Sequence, residues 1–132
     1  MAVHQDFLMR QIEIIARALA KLIFNKDTPE YIILNENGFS ETDLLLKELT
    51  ELINTGRIND AENLLFEYMQ EEAEKEPESS KFLEIAIDFY SRLNNFSDKF
   101  LEKCGFERSE IDAGLREAAE IYNFDLYKNF II

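Results

Sequence analysis

Residues 39–69 constrain the architecture of this chain more than any other stretch, because they read as two amphipathic helices joined by the turn Asn54-Thr55-Gly56-Arg57. In the first, Leu45, Leu46, Leu49, Leu52 and Ile53 recur at helical spacing, and Ser40 with Asp43 three residues on forms a capping box. Phe39 is placed to staple against Leu44. Gly56, free to take a positive φ, stops the helix. The second restarts at Asn59 with Glu62 as its capping partner, and it buries Ala61, Leu64, Leu65, Tyr68 and Met69. Phe66 points toward another element. A helical hairpin is therefore the unit from which the fold is built.

The rest of the chain repeats the pattern. Only 4 Gly and 2 Pro in 132 residues argue for few breaks and long helices, against a many-stranded β architecture. A first helix is predicted over residues 6–24, with Leu8, Ile12, Ile15, Leu19, Leu22 and Ile23 on one face and Arg10, Glu13, Arg17 and Lys21 opposite. Phe7, Ile14 and Ala18 lie beyond that charged stripe. This helix is apolar over more than half its circumference, so it must be central in the fold or face a second copy. Thr28-Pro29 suits the start of a single helical turn, and residues 31–34 read as an extended segment packed on the helices. Glu71, Glu72, Glu74, Glu76 and Glu78 form an acidic run expected to be a solvated linker.

A fourth helix is expected to begin at Ser79 or Ser80, with Phe82, Leu83, Ile85, Ala86, Ile87, Phe89, Tyr90 and Leu93 over a wide arc. Ser97 caps a short fifth helix ending at Cys104-Gly105. A sixth opens at Ser109 with Asp112 as partner, burying Ile111, Leu115, Ala118 and Tyr122. The apolar residues of 124–132 suggest a tail docked on the body or on a partner. The expectation is one all-α domain over residues 1–132, with five to six helices packed as antiparallel hairpins.

Composition narrows the function classes. A net charge of −13 disfavours nucleic acid, whose phosphates repel such a surface. The charge is uneven: residues 1–26 hold four bases against two acids, while the remainder holds 10 bases and 25 acids. The first helix is thus the one basic element on an acidic body. As a membrane-surface helix it is interrupted by Glu13 and attached to a body that anionic lipid repels, and Arg10, Glu13, Arg17 and Lys21 exclude a span. The N-terminus lacks a basic n-region of the kind that opens a secretory leader, and a lone Cys104 makes no internal disulfide, so a cytoplasmic location is expected.

Candidates for chemistry are few. There is one His (His4), one Cys and no Trp, so no Ser, His or Cys constellation stands behind the 27 carboxylates. Cys104 beside Gly105 reads as a small buried hydrophobe. The acidic run lacks the Gly and the alternating Asp/Asn of a calcium loop. No cofactor is implied.

The spacing Gly56-x-Ile58-x-x-Ala61-x-x-x-Leu65 resembles the turn and second helix of a tetratricopeptide repeat, with Leu45, Leu49 and Leu52 where such a unit packs its first helix. Leu49 stands where a small residue is usual, Tyr68 replaces a second small one, and the closing proline is displaced to Pro77. The chain as a whole resembles a family of small, acidic, all-helical bacterial proteins of unknown function. The likeness rests on residues 7–13, 22–31, 56–66 and the segment from Phe89-Tyr90 to Phe100-Leu101.

The first-ranked reading is a non-catalytic, tetratricopeptide-like adaptor that binds a protein or peptide. The repeat resemblance implies contacts on the outward side of the second helix, at Asp43, Thr50 and Asn54, with Leu46 and Ile53 as core or floor. An acidic groove there would favour a basic partner. Two alternatives belong to other classes: a small carboxylate-based or metal-dependent enzyme, and a homodimeric structural protein joined through the first helix or the tail.

Overall fold

A computed structural model describes the backbone of residues 2–33 and 40–126, and side chains from Asp6 onward. The described residues form six helices: α1 (Ala2–Phe24), α2 (Glu41–Asn54), α3 (Ile58–Lys75), α4 (Lys81–Asn94), α5 (Asp98–Lys103) and α6 (Arg108–Ile121). No strand occurs among them. The expected staple by Phe39, the end of the extended segment at Leu34, the side chain of His4 and tail residues 127–132 lie outside the described residues.

The axis of the fold is α4. It packs against α1, α2, α3 and α6, and its residues Phe82, Leu83, Ile85, Ala86, Ile87, Phe89, Tyr90 and Leu93 are all buried. Of the two placements expected for α1, central in the fold or facing a second copy, the central one is taken by α4. Helix α1 lies against α4 and α6 and buries Ile12, Ile15, Ala16, Leu19 and Ala20. It begins four residues earlier than the apolar periodicity showed, and Leu22, expected inside, is exposed with Phe7 and Ile14.

Chain ends of the helices follow local chemistry. Ser40 accepts from the Asp43 backbone N–H at 3.2 Å and its own N–H donates to Asp43 Oδ2 at 3.2 Å, so the capping box is present as expected. Gly56 and Gly105 take φ of +77° and +72° after α2 and α5. Asn25 and Asn123 do the same work after α1 and α6, at +53° and +62°. In both cases the following residue's N–H turns back to a helical carbonyl, Lys26 to Ala20 and Phe124 to Ala119. Residues 25–33 hold no helical turn at Thr28-Pro29; Pro29 is simply buried.

Two predicted caps are displaced. Helix α3 starts at Ile58 with no side-chain cap, and Asn59, now inside the helix, donates to the Gly105 carbonyl at 3.3 Å, linking two turns. Helix α6 starts at Arg108 with a box made by Glu107 and Glu110 instead of Ser109 and Asp112. Asp112 is used across the fold, accepting from Gln11 of α1 and pairing with Arg116.

The acidic run is the largest correction. Residues 71–75 are the last turns of α3, and Glu72 is buried. Its carboxylate accepts from Ser79 Oγ (2.7 Å), the Phe82 N–H (3.1 Å) and the Tyr122 hydroxyl (2.7 Å). Ser80, the N-cap of α4, makes no side-chain cap bond. A carboxylate from the preceding helix supplies that acceptor, at the end where an anion is favoured. Burial, with Glu72 beside it, pushes the Tyr122 hydroxyl far above its ordinary value.

A second buried hub centres on Arg108. Its guanidinium donates to the Asn94 carbonyl (2.8 Å) and side chain (3.0 Å), the Phe96 carbonyl (2.7 Å) and Asp98 (2.8 Å). Asn94 in turn donates to the Met9 carbonyl at 2.9 Å. One cation thereby ties the α4–α5 turn to α6, and through Asn94 to α1.

Candidate functional site

The most constructed surface feature is made by residues 25–33, which follow α1 and lie against α2 and α4. Lys26 Nζ pairs with Glu84 of α4 at 3.0 Å and also donates to the Glu30 carbonyl. Five residues on, Tyr31 is held at both ends. Its backbone N–H donates to Asp88 Oδ2 of α4 at 2.8 Å. Its hydroxyl lies 2.7 Å from Asp43 Oδ1 and 2.7 Å from Thr42 Oγ1 on α2. Asp88 and Asp43 are both buried, so these are charge-assisted bonds shielded from water. The Tyr31 hydroxyl, then the Ser40 N–H, holds the Asp43 carboxyl below its ordinary value, while burial pushes the Tyr31 hydroxyl up.

Beside this strap is a cleft of about 550 Å³. Ile32 and Ile33 form one wall and Leu46 of α2 contributes apolar surface opposite; Lys47, Thr50 and Glu51 of α2 and Arg92 of α4 supply the polar lining. Arg92 is oriented by Asp88, one helical turn back, at 3.0 Å, and reaches Thr50 Oγ1 at 3.5 Å. Thr50 donates its own hydroxyl to the Leu46 carbonyl at 2.8 Å. A smaller polar hollow of about 210 Å³ continues beneath Tyr31, between Asp88, Ser91, Arg92 and Asn95.

The sequence candidates are split by this arrangement. Thr50 lines the cleft. Asp43 is buried under Tyr31 and works as a cap and a tie, which departs from the exposed position expected of it. Asn54 is exposed at the end of α2 and is not part of the cleft lining. The two residues expected as core or floor, Leu46 and Ile53, are both buried in the core, and Leu46 also lines the cleft. Among the described residues the lining carries Lys47 and Arg92 against Glu51. Sequence reasoning passed over Tyr31 as a tether and Asp88–Arg92 as a pair. Their i,i+4 spacing on α4 was the available signal, but an aspartate amid apolar residues reads as a break in the buried face.

Glu62 has a structural partner. On the far side of α4, Tyr90 donates to Glu62 Oε2 at 2.6 Å below a groove of about 350 Å³ between α3 and α6. Burial raises the Glu62 carboxyl above its ordinary value; Glu110 and Glu117 add to this and the Tyr90 hydroxyl opposes it. Gly114 makes the crossing possible, since a Cβ there would stand 2.3 Å from the Tyr90 oxygen. Among the described residues no group of three or more His, Cys, Asp or Glu is disposed to hold a metal ion. Nor is any described helix long and apolar enough to cross a membrane.

Fold and cleft together define an all-helical protein with a cleft bounded by the tethered residues 31–33. Residues 2–123 match the family described as "Family of unknown function (DUF6483)", and the chain belongs to that family. No curated protein and no solved structure matches it.

Proposed function

We propose that this protein is a non-catalytic helical adaptor, acting in the cytoplasm as a single domain, that holds a short segment of a partner protein in the cleft between the strap and α2. The observation that carries the reading is a preformed cleft with apolar walls and a rim already held in place. Asp88 orients Arg92, Asp43 and Asp88 fix Tyr31, and Thr50 is bonded to its own helix. Rims fixed before binding lower the ordering cost of association. Its position on the outward side of α2 is also where a tetratricopeptide-like hairpin presents a ligand. Ile32, Ile33 and Leu46 suit apolar side chains of the guest. The chain's charge of −13 favours guests with basic residues flanking that apolar core.

The test is affinity capture from the native cell with the wild-type chain and with Ile32→Glu, which alters an exposed wall residue and spares the core. A captured polypeptide is expected to bind the variant at least about ten-fold more weakly, and to dissociate more readily as salt rises from about 0.05 to 0.5 M. Equal capture by both proteins would count against this cleft as the docking site.

A further inference from the structure

The outer face of α1 is the other feature without an assigned role. Phe7, Ile14 and Leu22 are exposed to 64%, 63% and 59% of their surface, and at about 100° per residue they fall in one sector beside Arg10, Arg17 and Lys21. From the residues of this face we infer that α1 is a self-association seam, taking α1 of a second copy in antiparallel orientation about a two-fold axis at Ile14.

The pattern of the face is what selects a second copy over another occupant. In an isologous pair each residue meets the one lying as far on the other side of the axis. Phe7, seven residues before Ile14, falls opposite Leu22, eight after. Asp6, eight before, falls opposite Lys21, seven after. Glu13 and Arg17 lie within a turn of each other's counterparts, and Ile14 meets Ile14. Arg10 falls opposite Ala18, a small side chain that leaves it room to reach solvent. The apolar residues share one flank and the charged residues the other, so each flank meets its own kind across the axis. Within one copy Arg17 already pairs with Glu13 (3.2 Å) and Lys21 with Asp27 (3.6 Å), so association extends these pairs into a shared network.

An anionic membrane fits the face less well, because Asp6 and Glu13 sit on its basic flank and the body beyond residue 26 is strongly acidic. The seam from Phe7 to Leu22 is about 22 Å long. That places the interface at the small end of specific contacts, with dissociation in the micromolar range.

The experiment is sedimentation equilibrium of the full chain, with register read by cross-linking. The mass is expected to rise from 15.5 kDa toward twice that value between roughly 1 and 500 µM. Ile14→Glu should weaken association at least ten-fold with its helical circular dichroism unchanged. In a Cys104→Ser background, Ile14→Cys should form a disulfide dimer. Leu22→Cys should cross-link poorly with itself and well with Phe7→Cys. A dimer insensitive to Ile14→Glu, or Leu22→Cys linking to itself as readily as Ile14→Cys, would overturn the proposal. So would a mass fixed at that of one chain. In that case, a maleimide-protected Ile14→Cys thiol assigns the face to the chain's own residues 127–132, and a reactive thiol with binding to anionic vesicles assigns it to lipid.

Discussion

Helices α1 and α4 are both apolar over more than half their circumference, and they end in opposite surroundings. Four helices wall in α4, so two of its polar residues are enclosed: Asp88 is shared by Tyr31 and Arg92, and Asn94 by Arg108 and Met9. Helix α1 packs mainly on two helices and leaves a sector open, where Arg17 and Lys21 pair with near neighbours at the surface. An enclosed polar group must find a partner or carry a desolvation cost; an exposed one has water. The interior of this protein therefore runs on a few over-bonded side chains, while the same residue types on α1 are replaceable.

The sharpest break of that contrast is a pair of truncations. Phe89→Ala should cost about 4 kcal/mol by leaving a cavity at the centre of the fold. Ile14→Ala, studied at concentrations where the chain is monomeric, should stay within about 0.5 kcal/mol. Urea unfolding measures both, and similar losses would erase the distinction between the helices. Next in size, Arg108→Ala strands the Asn94 and Phe96 carbonyls and should cost about 3 kcal/mol. Arg17→Ala on α1, losing one exposed pair, should fall below about 0.5 kcal/mol.

A smaller effect is expected from Gly114→Ala. Helix propensity alone predicts a gain of about 1 kcal/mol. The clash with the Tyr90 hydroxyl should reverse the sign, giving a net loss of about 1 to 2 kcal/mol. A stabilised variant would show that α4 and α6 have room to part.

The smallest effect is a pH dependence. Burial raises the Glu62 carboxyl in the folded state, so its contribution to stability is complete below its ordinary value and is lost as pH rises through the raised one. Glu62→Gln keeps an acceptor for Tyr90 and removes that loss. The variant's stability relative to wild type should therefore climb as pH rises above the ordinary glutamate value. A difference independent of pH would mean that Glu62 titrates in the fold as it does in the unfolded chain.

Much of the fold was legible because local rules and global packing agree here. The Ser40–Asp43 box, Gly56 as a stop, Ser97 as a cap and the apolar face of α2 all depend on contacts within a few residues. The cleft was legible only in part. Thr50, which lines the cleft, was named through the repeat resemblance, whereas Tyr31, Asp88 and Arg92 meet through contacts between segments up to 57 residues apart. Asp43 was misplaced because a strap laid over α2 hides a position that the helix alone leaves open.

What the amino-acid order determined by itself is the set of helices, most of their boundaries and the oily faces they must hide, since those follow from spacing along one segment. Tertiary structure alone decided that α4 is the axis, that Glu72 caps a helix other than its own, and that a tyrosine pinned between two aspartates borders the cleft. Each of those depends on which segments share a neighbourhood once water is excluded. Burial then assigns every enclosed charge a distant partner that no local pattern names.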